Sequence, residues 1–345
     1  MIFEQIETGG CRSYLVGCAD TCTAALIDPE SSQLDRYLAL AARDGLRIRT
    51  LVETHTHADH FSASPLLARQ LGARVVMHRL SPSPWVDLRV DDGDLLMVGK
   101  LRLQVMHTPG HTRDSISVLV EDHLFSGDAL LIGGTGRTDL PGGDSGVLYD
   151  SLFGKLLTLL PATHVHPAHE YKGRAESTIG DETAHNPRLQ AADKAAFITL
   201  MGNLNLGMPT HLTEALRTNM SGGKTVAQML AEAAALVPFM SMSELKRRLD
   251  AGAEGLVVLD VRERDAFDAG HIPGAQLLPR GQLELRVNQD LPDPTQRIVA
   301  CCEFGRISTL AAATLRTMGF QRAVALDGGV KAWREAGYAL TPPQG

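Results

Sequence analysis

The segment Thr54-His55-Thr56-His57-Ala58-Asp59-His60 packs three imidazoles and a carboxylate into seven residues. It follows directly on the apolar run Thr50-Leu51-Val52. A strand that ends in a short loop holds such side chains rigidly and fans them around one point. Imidazole nitrogen and carboxylate oxygen together suit zinc, iron, manganese and similar divalent metals. Further groups of the same kind follow downstream, each just after an apolar run. They are His111 in Thr108-Pro109-Gly110-His111-Thr112, Asp128 in Phe125-Ser126-Gly127-Asp128, and His169 in His166-Pro167-Ala168-His169-Glu170-Tyr171. His78, His107, His123, His164, His166, His185 and His211 lie outside these motifs and read as structural or surface residues.

These ligands allow two metal arrangements. In one, two zincs share Asp128. His55, His57 and His111 hold the first, Asp59, His60 and His169 hold the second, and a hydroxide between them attacks a thioester or lactam. In the other, one iron(II) takes two histidines and one carboxylate on one face, leaving the other face open for substrate and oxygen. The ligand types alone leave both open.

The elements that must position these groups are legible in outline. At 345 residues the chain is long enough for two domains. Alternating and apolar runs at 24–27, 74–77, 101–106 and 115–120 read as strands, and leucines at 148, 152, 156 and 160 predict a helix over 147–160. Pro187 predicts the start of a helix running to 200. Ser221-Gly222-Gly223-Lys224 breaks the pattern, ahead of an Ala-rich helical stretch over 225–236. Beyond it, apolar strands at 255–260, 296–301 and 323–326 alternate with helices, as in a parallel sheet. The expected organisation is a domain over 1–223, a linker over 224–240 and a second domain over 241–345.

Composition narrows the partners. The formal net charge is -7 with acidic and basic residues mixed and no basic block, which argues against nucleic acid or an anionic membrane as a partner. No apolar run approaches the length of a bilayer span. The N-terminal stretch Met1-Ile2-Phe3-Glu4-Gln5-Ile6-Glu7 has neither secretory nor transit character, so a cytoplasmic location is expected. The five cysteines form no disulfide framework by count or context.

His-x-His-x-Asp-His followed by separate His, Asp and His resembles the metallo-β-lactamase superfamily. That resemblance implies an αββα sandwich with the metal at one edge. Three further motifs resemble the persulfide dioxygenase branch: Gly136-Arg137-Thr138-Asp139, Asn186-Pro187-Arg188-Leu189 and Met201-Gly202-Asn203-Leu204-Asn205-Leu206. The similarity spans about residues 3–223. It implies one Fe(II) per chain held by His55, His111 and Asp128, with His57, Asp59, His60 and His169 orienting the ligands and bound water. It also implies glutathione persulfide and O2 as substrates, with sulfite and glutathione as products. Glutathione carries two carboxylates, for which Arg137 and Arg188 are the candidate partners, because planar guanidinium matches carboxylate. Tyr171, two residues after His169, could donate a hydrogen bond to the peptide.

The C-terminal part resembles rhodanese domains. Leu259-Asp260-Val261-Arg262-Glu263 with Gly270-His271-Ile272-Pro273-Gly274-Ala275 matches their opening signature, and Leu326-Asp327-Gly328-Gly329 with Trp333 their closing one. The expected fold is therefore α/β throughout, an αββα sandwich followed by an α/β rhodanese domain with a parallel sheet. Rhodaneses place a nucleophilic cysteine at a strand end, ahead of a loop that cradles the substrate and a helix N-terminus that lowers the thiol pKa. Aligning Gly305 and Ser308 makes Cys302 that nucleophile, with Cys301 on the preceding strand. Ile307 stands where the family often has arginine, and Arg306 comes one residue early as the candidate anion-binding group. The resemblance implies sulfur transfer among thiosulfate, sulfite and glutathione persulfide through a Cys302 persulfide. A homodimer is compatible with this reading. Two other functions fit the same residues: a glyoxalase II-like dizinc thioesterase with a regulatory or sulfur-carrier rhodanese domain, and a non-enzymatic sulfur relay.

Overall fold

Alternation along the strands sets the layers. β1 (Ile2–Thr8), β2 (Cys11–Cys18), β3 (Thr23–Ile27), β4 (Arg47–Val52), β5 (Arg74–His78) and β6 (Leu88–Val90) lie in that order in one sheet of the computed structural model. β7 (Leu95–Val98), β8 (Leu101–His107), β9 (Ile116–Val120) and β10 (His123–Gly127) neighbour one another in a second sheet. β11 (Leu130–Leu131) and β12 (Gly134–Thr135) form a ribbon, and β13 (His164–Pro167) completes the second sheet by pairing parallel with β10. All residues are described except 172, 175, 205, 208–211 and 342–345, and at 212 the backbone alone; His211, and Asn205 of the motif at 201–206, thus lie outside the described residues.

On β2, Tyr14 and Val16 join Val105, Ile116, Val118 and Phe125 in a core between the two sheets. Leu15, one residue over, faces the other way with Leu26 and Leu51. There they pack on Tyr37 and Leu67 of the helices Leu34–Arg43 and Ser64–Leu71. The outer face of the second sheet buries Leu124 and Val165 against Leu148, Leu152 and Phe197, from the helices Ser145–Gly154 and Lys194–Gly202. This is the expected αββα sandwich. Each fully buried leucine or phenylalanine contributes about 1.5–3 kcal/mol, so the three cores between the four layers fix where the strand ends fall.

Two expected helices are shorter than the sequence pattern suggests. The helix at 147–160 begins at Ser145, capped by Asp144, and ends at Gly154; Lys155 takes φ -131, and a 3-10 turn follows over Leu156–Thr158. Leu156 still packs in the same core, so the leucine spacing continues through the break. The stretch from Pro187 makes only a 3-10 turn, Pro187–Gln190, before Asp193 caps a new helix at Lys194.

The chain divides into two compact units, Met1–Gly223 and Lys224–Gly345. In the second, β14 (Phe239–Met240), β15 (Leu256–Asp260), β16 (Gln276–Leu277), β17 (Arg297–Cys301) and β18 (Val324–Leu326) form an all-parallel sheet in the order β14-β18-β17-β15-β16. The stretch 224–240, expected as a linker, is instead part of this unit. Thr225 and Gln228 form a capping box for the helix Val226–Leu236, and Val237 is buried with Ala300, Ala312 and Ala325. An Ala-rich helix ended by proline carries few side chains large enough to advertise that packing. Among the described residues, no helix is long and apolar enough to cross a membrane.

Candidate active site

Strand ends from both sheets deliver the chemistry to one edge of the sandwich. His55 comes three residues after β4, His111 lies in the turn between β8 and β9, and Asp128 and His169 come just after β10 and β13. The turn before His111 needs Gly110, at φ +135, because a Cβ there would strike the backbone of Leu148. Gly136 is equally constrained, since a Cβ would meet the carbonyl of Asp128.

His55, His111 and Asp128 are all buried, and each offers a donor atom within 4.8 Å of the others. The second nitrogen of each imidazole is already engaged. Thr54 Oγ1 donates to Asp28 Oδ2 at 2.7 Å, so it accepts from His55 Nδ1 at 3.0 Å. His111 Nδ1 donates to the carbonyl of Arg137 at 2.7 Å. Both tautomers therefore leave Nε2 to face the centre, where His111 Nε2 lies 3.5 Å from Asp128 Oδ2. Burial, reinforced by His57, holds the His55 pKa well below the usual histidine range, which keeps it neutral, the form that ligates metal. Burial raises Asp128, but His169 and His111 outweigh that and hold its carboxyl below the usual range. The donor set, its protonation and its buried second partners all fit a divalent metal.

The remaining motif residues lie around that centre. His169 Nδ1 sits 2.6 Å from Asp128 Oδ1 and its Nε2 2.5 Å from Asp59 Oδ2. Burial alone would lower its pKa; the two carboxylates raise it well above the ordinary value. His57 Nε2 turns away to Asp28 at 3.1 Å and Glu53 at 3.2 Å. His60 is buried with its Nδ1 3.5 Å from Asp59 Oδ1, and among the described residues its ring nitrogens make no closer hydrogen bond.

Sequence reasoning missed the groups behind the histidine loop. Asp28 takes the left-handed φ of +48 just after β3, a conformation that costs energy and that its bonds to Thr54 and His57 offset. Asn219, on the helix Leu212–Ser221, donates to the carbonyls of His57 at 2.9 Å and His60 at 2.8 Å and accepts from the Ser62 N–H. Cys11, at the start of β2, was also missed. Its Sγ lies 3.5 Å from His169 Nε2 and 3.6 Å from Asp59 Oδ2. Asp28 stands 26 positions from Thr54 and Asn219 stands 162 from His57, so no local pattern marks either.

A cavity of about 580 Å³ opens beside the centre, lined by Cys11, His111, Asp128, Arg137, Tyr171 and Arg188 among others. Its size suits a small peptide. Arg137 already holds Asp139 through two hydrogen bonds of 2.7 Å and the Gly207 carbonyl at 2.6 Å. Arg188 donates to Thr135 and, among the described residues, forms no ion pair. Its pKa is lowered by burial alone. Tyr171 is largely exposed and stacks on His169 at 5.6 Å. Asn186 plays a structural part instead. It is buried and ties the carbonyls of Leu131 and Gly134 to Glu182.

In the second unit Cys302 directly follows β17, and the helix Arg306–Thr317 begins four residues later. Its Sγ accepts from the Ser308 N–H at 3.3 Å and contacts Ser308 Oγ at 3.4 Å. Cys302 packs with Val257, Leu259 and Ala311, whereas Cys301 packs on the other face with Val299 and Trp333. Burial pushes the Cys301 thiol pKa far up, which makes it a poor nucleophile. Glu303 is clamped between Arg262 at 3.0 Å and Arg334 at 2.9 Å. Arg306 is exposed and, among the described residues, has no ion-pair partner; Phe304 and Ile307 beside it are also exposed.

Residues 6–169 match the metallo-beta-lactamase superfamily and residues 241–336 the rhodanese-like domain. The human protein named persulfide dioxygenase ETHE1, mitochondrial, is 40% identical over 227 residues, which cover 65% of this chain and 89% of the human one. The crystal structure of ETHE1 from Myxococcus xanthus is 42% identical with a TM-score of 0.63 and covers 65% of this chain and all of that one. A metallo-beta-lactamase structure from Staphylococcus aureus, 25% identical with a TM-score of 0.61, covers 95% of this chain and 98% of its own. The chain belongs to the persulfide dioxygenase family of the metallo-β-lactamase superfamily and carries a rhodanese-like domain after it.

Proposed function

We propose that the first unit oxidises glutathione persulfide with O2 to sulfite and glutathione, using one Fe(II) held by His55, His111 and Asp128. The balance is GSSH with O2 and water giving GSH, sulfite and two protons. The observation that carries this reading is a buried pair of histidines with one carboxylate, a ligand set that leaves adjacent positions open, beside a cavity with a carboxylate-seeking cation. Bound iron supplies the redox chemistry that brings oxygen and the terminal sulfur together. The protein's own residues do the rest. Arg188 takes a glutathione carboxylate, Tyr171 donates to the peptide, and Arg137 holds the cavity wall through Asp139 while its carbonyl orients His111. His169 fixes the Asp128 carboxylate, and Asp28 orients His55 by way of Thr54. Oxygen uptake matched one to one by sulfite formation on glutathione persulfide tests this; thioester hydrolysis without oxygen uptake contradicts it.

For the second unit we propose sulfur transfer between thiosulfate or sulfite and glutathione persulfide through a Cys302 persulfide, with Arg306 attracting the anion. Sulfite made by the first unit is an acceptor for the second, which gives the fusion a chemical rationale. The dizinc thioesterase reading has one specific observation in its favour, the additional group Cys11, Asp59, His60 and His169. Metal content and oxygen uptake separate the two.

A further inference from the structure

The second unit carries a cationic pocket at the far end of its sheet from Cys302. Cys302 follows the C-terminal end of β17. Phe239, Arg297 and Val324, the first residues of β14, β17 and β18, border a pocket of about 630 Å³ at the opposite end. Arg248, Arg297, Arg316 and Arg322 all line it, with Glu244 as its one acidic lining residue. Glu244 is already engaged by two arginines: it accepts from Arg248 Nε at 2.6 Å and pairs with Arg247. Of the eleven arginines in this unit, seven form ion pairs among the described residues, and three of the other four meet in this one pocket. Two of the three are fixed by backbone. Arg316 Nη1 donates to the carbonyls of Gln321 at 2.5 Å and Ala323 at 3.3 Å, and Arg322 Nη1 to that of Thr295 at 3.2 Å. The Asp293 carboxylate near Arg322 accepts from Thr295 N at 2.8 Å and Oγ1 at 2.7 Å, and forms no ion pair with it. Arg297 is half-buried, and among the described residues its guanidinium has neither a hydrogen-bond nor an ion-pair partner.

We propose that this pocket binds a diphosphate group, free or carried by a nucleotide. Like charges held together repel, and an anion that meets all of them relieves the repulsion. Planar guanidinium pairs with the oxygens of a phosphate two at a time, and three guanidiniums without carboxylate partners offer more donors than one small oxyanion can use. The charges agree with that. Four arginines against Glu244 leave the pocket with three positive charges. A single phosphate brings about two negative charges at neutral pH, so it leaves the pocket cationic, whereas a diphosphate balances it. Sulfite and thiosulfate, each a single small dianion, fall short in the same way. The site is thus separate from the Cys302 loop in place and different from it in ligand. Arg316 and Arg322 are held in position before the anion arrives, and Arg297 is the arm free to close on it.

The experiment is calorimetric titration of the full metal-loaded chain with inorganic pyrophosphate, ADP, sulfate and thiosulfate at one fixed salt concentration. Pyrophosphate should bind at least about ten-fold more tightly than sulfate or thiosulfate, since it engages one more guanidinium. Arg297→Ala combined with Arg322→Ala should remove that preference. Arg297→Gln alone should weaken pyrophosphate about ten-fold, which keeps the test open if the double variant fails to fold. Arg306→Ala, at the unpaired arginine outside the pocket, should leave pyrophosphate binding unchanged. Chelation by the metal centre gives the same heat in every variant, so the differences between variants read the pocket. ADP bound more tightly than pyrophosphate identifies a nucleotide, and the reverse identifies the free diphosphate; both carry the proposed group. Pyrophosphate bound no more tightly than sulfate or thiosulfate overturns the proposal. So does binding that survives both Arg297→Gln and the double substitution, or that is lost in Arg306→Ala, because the anion then sits elsewhere.

Discussion

His169 Nδ1 lies 2.6 Å from Asp128 Oδ1, so the histidine fixes one carboxylate oxygen while the other faces His111. Asp128 is the only carboxylate of the proposed ligand set. Asp128→Ala should therefore strip the metal and abolish oxygen uptake. His169→Ala should lower turnover yet keep much of the iron, because it frees the carboxylate without removing it. Metal content by elemental analysis on the two variants checks this. Loss of iron in His169→Ala as complete as in His55→Ala would contradict the mononuclear assignment.

Arg188→Ala should raise KM for glutathione persulfide about ten-fold, with kcat less affected, if a charge-assisted pair worth about 1.5–3 kcal/mol is lost. Arg137→Ala should raise KM less, because its guanidinium is held by Asp139 and the Gly207 carbonyl. Steady-state kinetics on both variants decide the order. A larger KM effect at Arg137 would reverse the two roles.

Asn219→Ala should lower the melting temperature and the retained metal together. It leaves the buried carbonyls of His57 and His60 without their donor, at a cost of about 1–3 kcal/mol for each unsatisfied group. Calorimetry with parallel metal analysis is the check. An unchanged melting temperature would mean that the loop is held by other contacts.

Cys302→Ser should eliminate thiosulfate:thiol sulfur transfer, because a hydroxyl cannot form the persulfide. Cys301→Ser should be mild for transfer, since that side chain lies on the other face of β17. Transfer assays on both mutants test the register of the loop. Loss in Cys301→Ser with retention in Cys302→Ser would shift it by one residue.

What could be read from the sequence follows from where the signal sits. His55, His111, Asp128 and His169 stand out because each follows an apolar run, and the strands those runs form do end at one edge. Asp28 and Asn219 do not stand out. Their residue types are common, and their partners lie 26 and 162 positions away. Cys11 carries no local mark in the sequence, and its place beside His169 shows only in the backbone bridge between the two. The break at Lys155 is hidden because Leu156 continues the leucine spacing into the same core. Arg137 and Arg188 look equivalent as sequence, and the contacts of Arg137 with Asp139 and the Gly207 carbonyl set them apart in the structure.

The most direct measurement is metal analysis of the anaerobically purified full chain, joined to oxygen consumption on glutathione persulfide. The account predicts about one iron per chain and oxygen uptake proportional to iron content. Two zincs per chain, no oxygen uptake and hydrolysis of a glutathione thioester would contradict it.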